Sequence, residues 1–367
     1  MTDQLLRTPL YDLHVAFGGR MVPFAGWEMP VQFGGIIDEH VYTRTACSAF
    51  DVSHMGRLTL TGRDCEAFLD SICTRKLKDA EVGRCYYSHV CREDGGILDD
   101  VIVSRFEDRW GVVCNASNRD KIVDWIGQYA AGRDVVLRDD TVGTAMIACQ
   151  GPKTMEIAEE LAGGSLAGLK RYHFREFDVG LGKVIVYRSG YTGEDGVEIV
   201  VPRAIVPVLS AKIFGTREKP HPTIKPAGLG ARDTLRIEAA MPLYGHELTE
   251  DWDSLTAGQA WCVDLTKDFV GAASMRRLRD RGLTRQLVGL ELDGRRIARQ
   301  HFLVFKGTHD AGEVTSGTLS PTLGRSIAMA LVSPAAAAVG TELEVEITGG
   351  KRVSAVVVPM PFYKRGK

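Results

Sequence analysis

Two adjacent carboxylates lie inside an otherwise apolar segment, Gly95-Gly96-Ile97-Leu98-Asp99-Asp100-Val101-Ile102-Val103. Successive side chains of an extended chain face opposite ways, so Asp99 and Asp100 lie on opposite faces, each among aliphatic residues. Burying an ionised carboxylate is costly unless hydrogen bonds or a cation compensate. The simplest structural explanation is an aspartate that accepts backbone N–H bonds at the hairpin, which suits Asp99 better than Asp100. Asp100 is therefore the stronger candidate for a functional carboxylate.

Polar side chains on the two neighbouring predicted strands could complete a pocket around this carboxylate. Tyr87 lies on the preceding strand and Asn115 on the following one. Taken alone, Tyr87 is more typical of a half-buried sheet tyrosine, and Asn115 of a turn residue at the end of a strand. The pocket across three strands is a hypothesis that depends on how these strands pair.

A second candidate segment is the glycine-bounded turn Tyr191-Thr192-Gly193-Glu194-Asp195-Gly196, which leads into a strand. Along that strand Glu198 shares a face with Gly196 and Val200. On composition alone the segment is typical of a hairpin whose acidic residues are solvated.

A third segment is a glycine-rich loop that runs into a predicted helix, from Pro226 through Gly228, Gly230 and Arg232 to Glu238. Amide groups at the start of a helix, together with a guanidinium that binds in a bidentate manner, would make a seat for a carboxylate or phosphate. The alternative is a surface Arg232 paired with Asp233 or Glu238. The sequence alone leaves the two interpretations equally open.

Several familiar kinds of site are excluded. The sequence has no Gly-x-x-x-x-Gly-Lys-Ser/Thr phosphate loop, no Gly-x-Ser-x-Gly elbow, no His-Glu-x-x-His and no Gly-x-Gly-x-x-Gly after a strand. Its nine histidines are scattered, without the spacing of metal ligands. We therefore expect chemistry that uses neither a metal nor a dinucleotide.

Composition narrows the class of protein further. Hydrophobic residues at 44% and charged residues at 25% are close to globular averages, which excludes disordered, collagen-like and membrane proteins. A formal net charge of −2 gives no reason to expect nucleic acid or an anionic membrane as partner. The eight cysteines have irregular spacing, which indicates reduced thiols in the core. Because the segment Met1-Thr2-Asp3-Gln4 lacks the features of a signal peptide, we expect a cytoplasmic protein, with a mature organellar protein as the alternative.

The elements that must position these residues follow from hydrophobic periodicity. Residues 85–92, 97–104 and 110–116 read as a three-stranded meander with a turn at Asp94-Gly95-Gly96, followed by a helix capped by Ser117 or Asn118. Strands at 144–149, 184–188 and 197–201 alternate with helices at 152–161 and 204–214. This alternation favours an α+β layered fold. Short strand patterns near 286–292, 301–306, 325–332, 342–347 and 352–358 predict a small all-β domain at the end of the chain.

Taken in order, these and other segments resemble the aminomethyltransferase (T-protein) family of the glycine cleavage system. The stretches that carry the resemblance are Thr8-Pro9-Leu10-Tyr11, Phe24-Ala25-Gly26-Trp27-Glu28-Met29-Pro30, Phe50-Asp51-Val52-Ser53-His54-Met55-Gly56, the strand from Gly95 to Val103, Gln150-Gly151-Pro152, Gly190-Tyr191-Thr192-Gly193-Glu194-Asp195-Gly196, Gly228 to Glu238, Leu243-Tyr244-Gly245-His246-Glu247 and Thr315-Ser316-Gly317-Thr318-Leu319-Ser320-Pro321-Thr322-Leu323-Gly324. They run in collinear order over nearly the whole chain, so chance similarity is negligible.

The resemblance implies a three-domain, cloverleaf-like α+β fold around a central folate cavity. Residues 1–280 would form the folate-binding catalytic region, built from two interleaved domains, and residues 281–367 a carboxy-terminal β-barrel domain. It also implies the reaction, in which an aminomethyl group on the lipoyl arm of a partner H-protein yields ammonia and its carbon passes to tetrahydrofolate. Tetrahydrofolate would be a co-substrate, no metal would be needed, and neither nucleic acid nor a membrane would be a partner.

The resemblance also assigns residues to roles. The family's catalytic aspartate falls on Asp100. Its folate-contacting positions fall on Tyr87, Asn115, Tyr191, Glu198, Arg232, Met55 and Trp261. The residue types fit these roles, because Glu198 can accept the N–H donors of a pterin, Tyr191 and Trp261 supply flat apolar walls, and Arg232 suits the glutamyl carboxylate. Asp100 would stabilise positive charge that develops as the carbon is transferred.

The sequence departs from the family pattern in two places. Many relatives have a proline before the leucine and a Leu-Gly before the tryptophan of the segment from Trp252 to Trp261, which puts the role of Trp261 in doubt. Ser104 stands where some relatives carry tyrosine, so one wall of the pocket would differ.

Two other functions share the implied fold. The folate domain of a demethylating amine oxidase would be joined to a flavin subunit, and no flavin-binding glycine motif is present. A folate-binding iron–sulfur maintenance protein would carry a Lys-Gly-Cys-Tyr type motif where this chain has Ser189-Gly190-Tyr191-Thr192-Gly193-Glu194.

Overall fold

The computed structural model describes residues 4–366, which form eight α-helices and twenty β-strands. The helices are α1 (Tyr11–Ala16), α2 (Ile36–Thr45), α3 (Cys65–Ile72), α4 (Arg119–Ala130), α5 (Thr154–Leu161), α6 (Val206–Phe214), α7 (Leu229–Glu238) and α8 (Ala272–Arg281). The strands are β1 (Leu6–Arg7), β2 (Arg20–Phe24), β3 (Trp27–Gln32), β4 (Cys47–Asp51), β5 (Gly56–Thr61), β6 (Arg84–Cys91), β7 (Ile97–Arg105), β8 (Trp110–Cys114), β9 (Val136–Asp139), β10 (Thr144–Gln150), β11 (Phe174–Asp178), β12 (Lys183–Tyr187), β13 (Gly196–Pro202), β14 (Ile224–Pro226), β15 (Gln286–Leu292), β16 (Leu303–Lys306), β17 (His309–Leu319), β18 (Ser326–Val332), β19 (Glu342–Ile347) and β20 (Lys351–Val358).

These elements form two compact units that alternate along the chain. Unit 1 comprises the chain up to Cys65, Asp79–Tyr86 and Ile102–Asp233. Unit 2 comprises Glu66–Lys78, Tyr87–Val101 and the chain from Thr234 onward. The division of the chain at residue 280 into a folate-binding region and a barrel domain stays a prediction.

Unit 1 is built on a six-stranded sheet with the order β11-β12-β13-β10-β4-β14. β10 pairs antiparallel with both β13 and β4, whereas β14 joins the edge parallel to β4. Aliphatic side chains on one face of these strands form a core with helices α5 and α6. The strand and helix pairs predicted at 144–161 and 184–214 are therefore confirmed, with shifts of one or two residues at their ends.

A buried carboxylate ties the amino-terminal segment of unit 1 to this sheet. Asp51 at the end of β4 accepts hydrogen bonds from the Thr8 hydroxyl at 2.6 Å and the Ser53 amide at 2.8 Å, and its Oδ2 lies 2.8 Å from Nε2 of His14. Burial alone would raise the pKa of Asp51, but the His14 contact and the two donors lower it to about 2. These contacts give a structural role to Thr8 and Asp51, which lie in two of the stretches that carry the family resemblance.

The predicted meander forms part of a five-stranded sheet with the order β6-β7-β8-β5-β9. At the first turn Gly95 adopts a φ of +96°, which glycine tolerates best, and the Asp94 carboxylate accepts the Gly96 N–H at 3.0 Å. Asn118 occupies the N-cap position of α4 as predicted, but its side chain makes no capping hydrogen bond. The third strand ends at Cys114, two residues earlier than predicted.

From Asp99 to Val103, burial along β7 alternates as the sequence predicts, whereas Leu98 and Ser104 are buried as well. Ile97, Asp99 and Val101 are buried, with Asp99 fully inaccessible to solvent, whereas Asp100 and Ile102 are half-buried. The two aspartates therefore lie on opposite faces of the strand. Asp99 belongs to the more deeply buried face.

The carboxy-terminal part of unit 2 is a closed six-stranded barrel with the order β15-β18-β17-β16-β19-β20. Five of its strands were predicted from the sequence, but β17, the longest, was missed. Its register shifts between Val314 and Ser316, and a Cβ on Gly312 would lie 2.0 Å from the carbonyl oxygen of Leu331. A bulge and a close-packed glycine break the two-residue period by which strands are recognised.

A buried ion pair connects helix α7 with strand β17 inside unit 2. Arg236 donates to Glu247 Oε2 and to the Ser316 hydroxyl, each at 2.8 Å, while the Thr315 hydroxyl donates to Glu247 Oε1 at 2.6 Å. Burial raises the pKa of Glu247, but Arg236 and the hydroxyl donors outweigh this and lower it overall. Every charged atom of this cluster thus has a partner, which is the condition for a buried pair to be tolerated.

No helix in residues 4–366 is long and apolar enough to cross a membrane.

Candidate functional site

The candidate catalytic residue lies in unit 2 beside an aromatic residue of the neighbouring strand. The Tyr87 hydroxyl, on β6, donates to Oδ2 of Asp100, on β7, at 3.1 Å. A donor of this kind fixes the orientation of the carboxylate. The structure thus brings together two residues that the sequence proposed for one pocket.

The Tyr87 hydroxyl is itself held by residues that sequence reasoning missed. His89 Nε2 lies 3.2 Å from the Tyr87 oxygen, and His89 Nδ1 lies 2.7 Å from the Ser254 hydroxyl. Because Tyr87 donates its proton to Asp100, it must accept from Nε2–H, which leaves Nδ1 to accept from Ser254. The four side chains therefore form one directed chain of hydrogen bonds, Ser254 to His89 to Tyr87 to Asp100.

His89 is held neutral in this chain. Its side chain is fully buried, and burial lowers the pKa of its imidazole to about 3. A neutral ring is required for the acceptor role of Nδ1. The orientation of Tyr87 thus depends on a histidine that stays unprotonated throughout the physiological range.

The free energy of unfolding is expected to fall as pH is lowered from about 6.5, the pKa of histidine in an unfolded chain. Between that value and the folded pKa of His89, about 3, the unfolded state binds the extra proton. The slope from one such histidine is at most about 1.4 kcal/mol per pH unit. In urea unfolding at pH 4 to 6, His89→Gln should make this slope shallower by the contribution of about one proton. An unchanged slope would contradict the buried, neutral assignment.

Trp261 completes the aromatic part of this group. Its ring stacks on Tyr87 with centroids 5.3 Å apart and an interplanar angle of 17°. The indole N–H donates to Gln259 Oε1 at 3.0 Å, yet 59% of the residue remains exposed. An exposed tryptophan held in a fixed orientation offers a flat apolar wall, the role that the resemblance implied.

The candidate anion-binding residue lies in unit 1, in the first turn of α7. The Arg232 guanidinium lies over the Tyr191 ring at 4.8 Å, and its Nη1 is buried without a hydrogen-bond partner among residues 4–366. Burial lowers the pKa of Arg232, an effect that Glu198 and Tyr191 oppose. The alternative of a surface arginine paired with Asp233 or Glu238 is thereby wrong. A half-buried guanidinium with one buried, unused donor is a ready seat for a carboxylate.

The two glycines before Arg232 allow neighbouring segments to pack closely against the backbone. A Cβ on Gly228 would lie 2.4 Å from the backbone carbon of Val31, and one on Gly230 would lie 2.5 Å from the Ile36 side chain. The Gly228 amide already donates to Glu39 Oε2 at 2.8 Å. The glycine-rich loop therefore lets the start of α7 approach its neighbours, and the anion-binding interpretation depends on Arg232.

The acidic residues near Tyr191 are engaged with protein groups. Glu194 is buried and accepts from Arg44 at 2.9 Å, and Asp195 pairs with Arg188 at 2.6 Å. Glu198 is half-buried on β13 and accepts the Ser189 hydroxyl at 2.5 Å. The expectation of solvated acids is wrong for Glu194, because this turn is pinned to α2. Glu198 lies on the opposite face of β13 from Val197 and Ile199, in agreement with the predicted alternation.

A second buried histidine, this one in unit 1, was not recognised from the sequence. His54 is buried, Phe24 packs edge-on against its ring at 5.5 Å, and its Nδ1 has no partner among the described residues. Burial lowers the pKa of His54 to about 4, with the cations Arg232 and Arg57 acting in the same direction. The signal that could have found it was its position in the matching stretch from Phe50 to Gly56.

Met55 and Asn115 occupy fixed backbone positions in unit 1. The Met55 carbonyl accepts from Arg57 at 2.6 Å. Asn115 precedes a short 3₁₀ turn, and its carbonyl accepts the Asn118 N–H at 3.0 Å. The predicted site residues thus form one group around Tyr87 in unit 2 and one around Arg232 in unit 1, with Met55 and Asn115 also in unit 1.

The two groups differ in the chemistry that they can supply. The unit 2 group holds an oriented carboxylate beside an aromatic wall, whereas the unit 1 group holds a half-buried cation beside a tyrosine and a half-buried carboxylate. Within residues 4–366 no cluster of three or more His, Cys, Asp or Glu side chains could hold a metal ion. All eight cysteines are buried free thiols, as the sequence suggested.

Comparison with known families decides the identity of the chain. The family described as the GCVT N-terminal domain matches residues 10–267, and the one described as the glycine cleavage T-protein C-terminal barrel domain matches residues 285–364. The chain belongs to the glycine cleavage T-protein family. Relatives of the chain include an aminomethyltransferase of Rubrobacter xylanophilus, 46% identical over 98% of this chain and 95% of the relative, and one of Bacillus cereus strain AH187, 43% identical over 99% of both.

A solved structure supports the same assignment for the fold. The glycine cleavage system aminomethyltransferase T of Bartonella henselae is 31% identical to this chain, with a TM-score of 0.91, and the match covers 98% of this chain and 99% of the Bartonella chain. The α+β class with a carboxy-terminal barrel, predicted from the sequence, is confirmed. The chain is an aminomethyltransferase of the transferase class.

Proposed function

We propose that this aminomethyltransferase takes the aminomethyl group from the dihydrolipoyl arm of H-protein, releases ammonia and transfers the methylene carbon to tetrahydrofolate, forming 5,10-methylenetetrahydrofolate. Family membership supports the transferase reaction. The observation that carries the folate part is the buried Nη1 of Arg232, which has no partner among the described residues. Such a donor costs free energy unless an anionic ligand satisfies it, and the glutamyl carboxylate of a folate would do so.

Asp100 is the proposed catalytic residue. Its carboxylate, oriented by Tyr87 at 3.1 Å, would accept a hydrogen bond from the folate nitrogens and stabilise the positive charge that develops on the transferred carbon. His89 and Ser254 act through Tyr87 and are positioning residues. Trp261, stacked on Tyr87, would cover an aromatic face of the substrate.

The remaining proposed contacts lie in unit 1. Glu198 would accept the amino and ring N–H groups of the pterin, with Ser189 holding one of its carboxylate oxygens at 2.5 Å. Tyr191 would provide a flat wall whose position is fixed by the guanidinium of Arg232. Met55 and Asn115 stay proposed folate contacts on the strength of the family resemblance.

A product assay tests this proposal. The protein is incubated with H-protein that carries the aminomethyl-lipoyl arm, with tetrahydrofolate, or with both, and methylenetetrahydrofolate is measured through its oxidation by a dehydrogenase. We expect product only when both substrates are present. No methylenetetrahydrofolate above the level of the single-substrate reactions, with ammonia still released from the carrier, would refute the assigned acceptor.

Arg232→Ala is expected to weaken tetrahydrofolate binding by about 1–3 kcal/mol, the scale of a lost charge-assisted hydrogen bond. The fold should change little, because Nη1 of this arginine has no protein partner among the described residues. Calorimetric titration measures the affinity. Arg63→Ala, which removes an exposed arginine of unit 1 paired with Asp134, is the matched control and should bind as the parent does. Equal affinities for both variants would show that Arg232 does not meet the ligand.

The proposal includes two further expectations. Tetrahydrofolate should bind without a metal ion, so the same titration repeated with a chelator should give the same affinity. Binding that disappears with the chelator would overturn this point. The cytoplasmic location also stays part of the proposal, since eight buried free thiols suit a reducing compartment.

A further inference from the structure

Unit 1 contains a cavity of about 500 Å³ between its six-stranded sheet and helices α5 and α6. Its walls are aliphatic side chains of β12, β13 and both helices, and among residues 4–366 its polar lining consists of Thr154, Asp178 and Lys212, beside the thiols of Cys47 and Cys149. Val197 and Ile199 face it, so it lies on the opposite face of β13 from Glu198. None of the proposed folate-contacting residues lines it. The volume and apolar lining are those of small-molecule sites, which span roughly 300–1,000 Å³.

The mouth of this cavity exposes apolar surface to solvent. Four of its lining residues are large aliphatics with high exposure: Leu161 at 41%, Val179 at 48%, Val208 at 58% and Leu181 at 68%. Single exposed aliphatics are common, but a cluster of four around one opening is characteristic of a binding site. The opening therefore favours an apolar ligand that can enter from solvent.

One cation at the cavity is unpaired. Lys212, on α6, is exposed and has no ion-pair partner in the part of the chain that the structure describes. The nearby Lys183, by contrast, is paired with Glu176 at 2.8 Å, and Asp178 accepts the Gly180 N–H at 2.9 Å. An elongated apolar molecule with one anionic end would complement both the aliphatic walls and this lysine.

We propose that this cavity binds a medium-chain fatty carboxylate, with the alkyl chain among the aliphatic side chains and the carboxylate at Lys212. The ligand is held by apolar contacts and an ion pair, without a covalent bond. The cavity volume of about 500 Å³ is large enough for a medium-length alkyl chain. Each methylene that enters the cavity should tighten binding by about fourfold, until the space is filled.

A chain-length series tests the proposal on the intact protein. Hexanoate, octanoate, decanoate and dodecanoate are titrated calorimetrically below their micelle concentrations, with 1-decanol as the uncharged partner of decanoate. We expect one site per chain and a rise of about fourfold per methylene through decanoate. No saturable binding of any member, or an affinity independent of chain length, would overturn the proposal.

Charge variants test the head-group contact. Lys212→Met should weaken decanoate by about fivefold, the upper range for an exposed ion pair, and leave 1-decanol unchanged. Lys183→Met, which removes the paired cation, should leave decanoate binding unchanged. Equal losses in the two lysine variants, or a loss of decanol binding in Lys212→Met, would contradict the assigned role of Lys212.

Two cavity variants locate the alkyl chain. Ala162→Phe places a ring in the cavity and should abolish binding of decanoate and decanol alike. Because a filled cavity could also disturb the fold, Leu181→Glu provides a second variant at a 68% exposed position, where a carboxylate should repel decanoate more than decanol. Unchanged decanoate binding in both folded variants would show that the ligand lies elsewhere. Both tests are independent of the transferase assay.

Discussion

Replacing Asp100 by asparagine is expected to lower turnover by about 10²-fold or more, the low end of the effect of general acid–base groups. Asparagine keeps the shape of the side chain and can still accept the 3.1 Å hydrogen bond from Tyr87, so the arrangement of Ser254 and His89 should persist. What is lost is the negative charge that stabilises the developing cation. Single-turnover ammonia release measures the change. The free energy of unfolding should stay close to that of the parent, because Asp100 is only half-buried.

Asp99→Asn is the matched variant on the adjacent residue. Asp99 is fully buried on the opposite face of β7, so its substitution should lower the free energy of unfolding by about 1–3 kcal/mol and preserve turnover in the folded fraction. The hairpin itself should remain, because its carboxylate contact is supplied by Asp94. Loss of turnover in Asp99→Asn with an active Asp100→Asn would reverse the assignment of the two faces.

Arg236→Ala is expected to lower the free energy of unfolding by about 3–5 kcal/mol, which is the cost of leaving one member of a buried ion pair alone. Both side chains of the pair are at most 1% exposed, and Glu247 would keep its charge without its cation. Urea unfolding measures the loss. Arg325→Ala, which breaks the exposed pair with Glu291, is the control and should cost less than about 1 kcal/mol.

A double substitution separates the pair from its single members. Replacing Arg236 by methionine and Glu247 by leucine together removes both charges, so it should recover much of the stability lost in Arg236→Ala. The two changes should therefore be strongly non-additive. Similar losses for Arg236→Ala and Arg325→Ala would show that the α7–β17 connection does not depend on the buried charges.

The parts of the fold that sequence predicted are those in which one local period dominates. The meander and most barrel strands alternate with a period of two, and α4 shows its apolar stripe at Ile122 and Ile126, both buried. Strand β17 was missed because its register against β18 shifts between Val314 and Ser316 and because Gly312 interrupts the strand, so the two-residue period is broken. The pairing of β14 with β4, between residues far apart in sequence, also gives no local signal.

The candidate site also contains some residues that the sequence reveals and others that only the three-dimensional structure reveals. Asp100 stood out because a carboxylate in an apolar strand is costly, and the other site residues came from the family resemblance. The contact between His89 and Ser254 joins residues 165 positions apart, so neither looked functional in its own segment. The unused donor of Arg232 and the cavity beside α6 are properties of packed side chains in three dimensions, and sequence patterns carry no record of them.

The most direct test of the central claim is the rate of ammonia release from H-protein loaded with the aminomethyl-lipoyl arm, measured with and without tetrahydrofolate. If the protein transfers the carbon to tetrahydrofolate, release should be fast only with the folate present, and Asp100→Asn should slow it by about 10²-fold. Equal rates with and without tetrahydrofolate in the parent protein would contradict the account.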